Sequence, residues 1–192
     1  MDEEILNTNF LLYRKKLEDA VCIDLTDMFN EIGENIKKST FSSIEESGVA
    51  FEGALIIMSL KRISKYAFKI NEMLPETLKV DVKSLIKVCL LQHISKAFMF
   101  SKCKEDWKIK KGMIYEFTPT TNALKGGMKS LIIALKYNIP FNEDEIEAMT
   151  CLDRDDKQSE YYSSMLSLIV RQANELASYT SRKNYLIEKQ KH

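Results

Sequence analysis

Apolar residues recur every three or four positions along most of this chain, the period of an amphipathic helix. Leu17, Val21, Leu25, Met28, Ile32 and Ile36 line one face of a helix or helix pair over residues 9–37. Ser39–Ser43 is a polar break, and Gly48 and Gly53 bracket a junction at which the main domain begins. Over residues 54–74 the stripe is Ile56, Leu60, Ile63, Ala67, Ile70 and Leu74, and Pro75 ends it. Asp81 is placed to cap a helix over 82–101 with stripe Val82, Ile86, Cys89, His93, Ala97 and Phe100. The pattern then changes. Trp107, Ile109, Ile114, Tyr115 and Phe117 flank Lys110-Lys111-Gly112, which predicts a short hairpin turning at that tripeptide and closed by Pro119. Helix returns over 122–138. Asn142 caps an acidic helix over Glu143–Cys151, Asp153–Lys157 is a charged loop, and residues 159–179 form a last long helix. A basic tail, 181–192, is expected to fray unless docked on something.

Composition narrows the class. Of 192 residues, 45% are hydrophobic and 29% charged, enough for a real core. Three Pro and six Gly argue against a many-turned β protein, so the fold class is all-α. No apolar run reaches the roughly 18 residues of a membrane span. The N-terminus, Met-Asp-Glu-Glu, is not followed by a signal-peptide core, and Cys22, Cys89, Cys103 and Cys151 form no CxxC pair. A reduced, cytoplasmic setting is expected. Lys plus Arg and Asp plus Glu stand at 28 each, which disfavours a nucleic-acid-binding role. The balance is uneven, however. Residues 1–52 carry 12 acidic and 5 basic side chains, and the remainder 16 and 23. The two parts can attract each other or face different partners.

Little conventional catalytic chemistry is available. There are two His, and one is the last residue, so neither a multi-His metal centre nor a Ser-His-Asp arrangement can be assembled. His93, on an apolar stripe, reads first as a buried imidazole with a backbone or Gln partner. Gly126-Gly127-Met128-Lys129-Ser130 lacks P-loop spacing and reads as a tight turn before a helix whose N–H groups can meet an anion. The acidic group Glu143, Asp144, Glu145, Glu147, Asp153, Asp155 and Asp156 fits no EF-hand loop and reads as a solvated helix start. Lys102, Lys104, Lys108, Lys110 and Lys111 around Trp107 read as a solvated hairpin rather than a phosphate-binding strip. Tyr161-Tyr162 and the nine Met read as core filling.

Five segments taken in order resemble the HD-domain superfamily of metal-dependent phosphohydrolases, of the small bacterial and phage type. Gly53-Ala54-Leu55-Ile56-Ile57-Met58-Ser59-Leu60 is similar to a G-G-L-x-x-H-S-L motif, and Leu90-Leu91-Gln92-His93-Ile94-Ser95-Lys96 to L-L-H-D-I-x-K. Leu124-Lys125-Gly126-Gly127-Met128-Lys129-Ser130 is similar to L-x-H-G-x-K-S, the stretch 141–152 to L-T-x-E-E-A-x-A-I-x-x-H, and Ala173-Asn174-Glu175-Leu176-Ala177 to A-D-x-x-A. The resemblance implies an HD-like helical bundle over 48–180 with a small hairpin insertion, an N-terminal helical extension over 1–47 and the tail over 181–192. It also places the family's metal ligands on Met58, Gln92, His93, Gly126, Leu152 and Asn174. Met, Gly and Leu offer no donor to a hard metal, and neutral amides are poor replacements for imidazole and carboxylate. The expectation is therefore a pseudoenzyme without metal or other cofactor. Met and Leu would fill the old cavity, and Gln92, His93 and Asn174 would hydrogen-bond across it. The role expected is a structural or protein-interaction module, in an oligomeric or multi-protein assembly, with no membrane partner; a phage virion or connector is one setting. The alternatives are an active phosphohydrolase acting on nucleotides, or a nucleotide-sensing pseudoenzyme with anion contacts from Lys96, Lys129 and Arg171.

Overall fold

The computed structural model describes residues 2–118, 123–153 and 163–191. The described chain is mostly helical with one small sheet, as the apolar periodicity predicts. Asp2 caps α1 (Glu3–Val21), whose chain reverses at Cys22 in the left-handed conformation into α2 (Thr26–Lys38). Gly53, at φ +85°, opens α3 (Ala54–Ile56), which runs through a π-helical stretch, Ile57–Ile63, into α4 (Ser64–Met73). Asp81 caps α5 (Val82–Leu91) through Ser84 N at 2.8 Å.

Two expectations fail beyond this point. The helix predicted over 82–101 stops at Leu91; a 3-10 turn, Ile94–Phe98, and strand β1 (Phe100–Lys102) follow. Nor does Lys110-Lys111-Gly112 turn a tight hairpin. A short helix, α6 (Asp106–Lys110), lies between β1 and its antiparallel partner β2 (Tyr115–Phe117), and Gly112 ends it at φ +79°. The reason is local: Glu105 accepts from Trp107 and Lys108, folding the stretch into a turn of helix.

α7 (Gly126–Lys136) and α8 (Glu143–Thr150) follow, and α9 (Met165–Lys189) carries helix through most of the segment expected to fray. Ser181 is buried there and Arg62 donates to its hydroxyl, so this part of the tail is docked on the π-helical stretch. Pro119, Asp155, Asp156 and the Tyr161-Tyr162 pair lie outside the described residues.

α5 is the central element. Leu85, Val88, Cys89, Leu90 and Leu91 are fully buried among α1, α4, α8 and α9. α1 belongs to this core, with Tyr13 and Leu17 at zero exposure and the Tyr13 hydroxyl donating to the Leu90 carbonyl at 2.8 Å. The same core reaches Ala177 on α9. It holds the C-terminal end of α5, and the polar residues that follow it, against the middle of α9.

Candidate functional site

The polar site begins where α5 ends. Gln92 and His93 follow the last helical turn, and Asn174 faces them from α9. The Asn174 side-chain nitrogen donates to the Val170 carbonyl at 2.8 Å and to Gln92 Oε1 at 3.0 Å. Its Oδ1 is therefore the acceptor in the 2.7 Å contact with His93 Nε2. That assignment places the imidazole proton on Nε2 and leaves Nδ1 with a lone pair. Burial, reinforced by the Lys96 charge and opposed by the Asn174 bond, pushes the His93 pKa down to about 3, so the ring is neutral at physiological pH. The Phe41 ring meets it edge-on at 4.8 Å. Gln92 Nε2 is buried and has no hydrogen-bond partner among the described residues.

A cavity of about 190 Å³ adjoins this group, lined by Gln92, His93, Lys96, Gly126, Leu152 and Asp153 among others. Five of the six positions matched to the family's ligands thus come together: three in the hydrogen-bonded group and two, Gly126 and Leu152, in the cavity wall. Met58 does not join them. It lies in the π-helical stretch with its sulfur 3.5 Å from the Ser181 hydroxyl, about 10 Å along α9 from Asn174. Met58 and Leu152 therefore do not fill the space, because one points elsewhere and the other forms only part of its wall.

The start of α7 is bound to the same group. Ser95 N donates to Ser130 Oγ at 3.1 Å, and Ser95 Oγ to the Gly126 carbonyl at 2.9 Å. The anion that the first N–H groups of α7 meet is the protein's own: Asp153 accepts from Gly127 N at 3.0 Å and Met128 N at 2.9 Å, one bond to each carboxylate oxygen. A side chain at Gly127 would meet the Met149 carbonyl at 2.4 Å, so the helix start comes this close only because the residue is glycine.

Lys96 is the charge nearest His93. Its ammonium donates to the Phe41 carbonyl at 3.0 Å and lies 4.3 Å from the centre of the Phe41 ring and 5.7 Å from that of Phe100. No carboxylate among the described residues pairs with it, and burial pushes its pKa down to about 8. Lys129 lines a separate apolar groove with Phe98, Leu124 and Ile132, and Arg171 pairs with Glu175 at 3.7 Å. The three expected anion contacts are thus dispersed.

The donor set does not fit a hydrolytic metal. His93 offers only Nδ1, because its Nε2 is committed to Asn174; the remaining side chains of the bonded group are neutral amides, and Asp153, the one carboxylate among the described residues lining the cavity, caps α7 with both oxygens. Among the described residues, no three His, Cys, Asp or Glu side chains cluster closely enough to hold an ion. The sequence pattern marked Gln92, His93 and Asn174, but not the capping role of Asp153, which depends on a long-range approach of two chain segments. No protein-family model, curated protein or solved structure matches this chain.

Proposed function

We propose that this chain is a catalytically inactive, HD-like protein that serves as a structural or protein-interaction module, with a phage virion or connector as one setting. The observation that carries the reading is the Asn174 bridge. Where the HD resemblance expects metal-binding imidazole and carboxylates, one amide joins Gln92 to a neutral His93. Such a group stiffens the contact between α5 and α9 and leaves no charged ligand to polarise a phosphate or acidify a water. The interaction part of the reading is supported by α7, on which Met128, Ile132 and Leu135 are exposed at helical spacing.

A nucleotide-sensing pseudoenzyme is the second reading, favoured by the buried Gln92 Nε2 beside a cavity and by Lys96 in its wall. Size counts against it. About 190 Å³ is below the roughly 300 Å³ at which small-molecule pockets usually begin. The test is elemental analysis after incubation with Mn, Fe or Ni and removal of free metal, with hydrolysis of nucleotides measured on the same sample. Metal far below one equivalent and no hydrolysis are expected. One equivalent of metal with phosphohydrolase activity would overturn the reading. A mass above that of one chain by light scattering would support the assembly role.

A further inference from the structure

A second cavity, of about 320 Å³, opens on the other side of Lys96, between the loop 41–49 and α9. Its polar lining is Ser42, Ser47, Lys96, Ser178 and Arg182, and none of the described residues lining it is acidic. Phe41 and Val49 supply the apolar wall. Lys96 lines both cavities, whereas Arg182 lines only this one of the two.

The cavity has built walls. Phe41 N donates to the Val49 carbonyl at 3.2 Å, and Thr40 Oγ1 to the Ser42 carbonyl at 2.8 Å, which fixes the curvature of the loop. Ser43 accepts from Ile114 N and Tyr115 N at 3.0 and 3.2 Å, so the loop is also anchored to β2. Gly48, at φ +69°, lets the loop lie against α9; a Cβ there would fall 2.4 Å from the Ser181 carbonyl. The Lys96 ammonium is held in place by the Phe41 carbonyl and ring, with two N–H bonds left over.

The donors converge without an internal anion. Neither Lys96 nor Arg182 pairs with a carboxylate among the described residues. The Ser42 oxygen accepts from Ile44 N and keeps its proton to donate, and Ser178 is exposed, its hydroxyl without a partner among the described residues. Two cations and two free hydroxyls provide more donors than a carboxylate can use, and they match an oxyanion with three terminal oxygens. The space beyond suits a small organic group resting on Phe41.

We propose that this cavity is a binding site for the phosphoryl group of a small phosphomonoester, held between Lys96 and Arg182 with Ser42 and Ser178 completing the contacts. It is separate from the Asn174 site and does not depend on the chain being an HD-like pseudoenzyme. A free phosphate and a phosphorylated metabolite share this chemistry; the apolar wall favours the ester.

The test is calorimetric titration of the full chain with inorganic phosphate and with ribose 5-phosphate at constant ionic strength, with sodium acetate as the carboxylate probe. Saturable binding of both phosphates is expected, the ester tighter, and acetate at least tenfold weaker. Arg182→Gln, on an exposed residue and so folding normally, is expected to weaken binding at least tenfold, and Lys96→Met likewise. Lys110→Gln removes a positive charge from a residue that does not line the cavity, and is expected to leave binding unchanged. No saturable binding, unchanged affinity in Arg182→Gln, an equal loss in Lys110→Gln, or acetate binding as tightly as phosphate would each overturn the proposal.

Discussion

Two lysines on either side of the end of α5 are treated in opposite ways. Lys87 is compensated: its ammonium lies 2.7 Å from Glu145 Oε1, donates to the Pro140 carbonyl at 3.0 Å and sits over the Phe141 ring. Glu145 is itself fixed, because its other oxygen accepts from Asn142 N at 2.9 Å while Asn142 caps Glu145 N at the same distance. Lys96 has a carbonyl and two aromatic rings but no carboxylate among the described residues. The first lysine closes a charge pair between α5 and the start of α8, and both partners are spent. The second keeps unspent N–H bonds at the wall of two cavities. A buried charge whose partner is internal is architecture, and one without a partner is available to a ligand.

Breaking the compensated pair should have the largest effect. Glu145→Ala strands the Lys87 ammonium and removes half of the capping box, and is expected to cost about 3–5 kcal/mol in denaturant unfolding. A loss below about 1 kcal/mol would mean that the pair is solvated and the contrast with Lys96 is false. Asn174→Leu comes next. It leaves His93 Nε2–H and Gln92 Oε1 without partners, for an expected loss of about 2–3 kcal/mol. An unchanged midpoint would remove the bridge as a structural element.

Lys96→Met is expected to act in the opposite direction, raising stability at pH 7 by about 1–2 kcal/mol. The ammonium titrates at about 8 in the folded chain against 10.5 when free. Below pH 8 its burial opposes folding in full. Between pH 8 and 10.5 the unfolded chain holds more protons, so the penalty fades as pH rises. The advantage of the variant over the parent should therefore shrink across that window and vanish above it. A pH-independent gain would assign the effect to packing instead.

The smallest signal is spectroscopic. His93 is held neutral, so its ring resonances should not titrate between pH 8 and 5, and the chain has one other imidazole, His192, for reference. With a folded pKa of about 3 against 6.5, stability contributed by the neutral ring is lost as pH falls below 6.5. A His93 midpoint near 6.5 would show that the site is open to water.

Local signals were legible wherever the cause lies within a few residues. The Asp81 and Asn142 caps, the stop at Pro75 and the stripe from Leu17 to Ile36 all stand in the structure, because capping and amphipathic burial depend on neighbours along one helix. The stripe from Val82 to Phe100 misled. His93, Ala97 and Phe100 keep helical spacing, yet the chain leaves α5 after Leu91 and turns its polar groups toward α9 and α7. In the site, the hydrogen bonds joining Gln92, His93 and Asn174 agree with the expectation for those three residues, while the placement of Met58 does not. A π-helical stretch and the docking of Ser181 decide where Met58 points, and neither leaves a mark in residue spacing.

By itself the sequence determined the helical class and the main caps and breaks, since these follow from residue type and short-range spacing. The tertiary structure decided which charges are answered. It brought Glu145 to Lys87 and Asp153 to the start of α7, and it left Lys96 with a carbonyl and aromatic faces beside Arg182. Such pairings rest on distances between segments far apart in the chain, and Coulomb and hydrogen-bond energies depend on those distances and on the local exclusion of water.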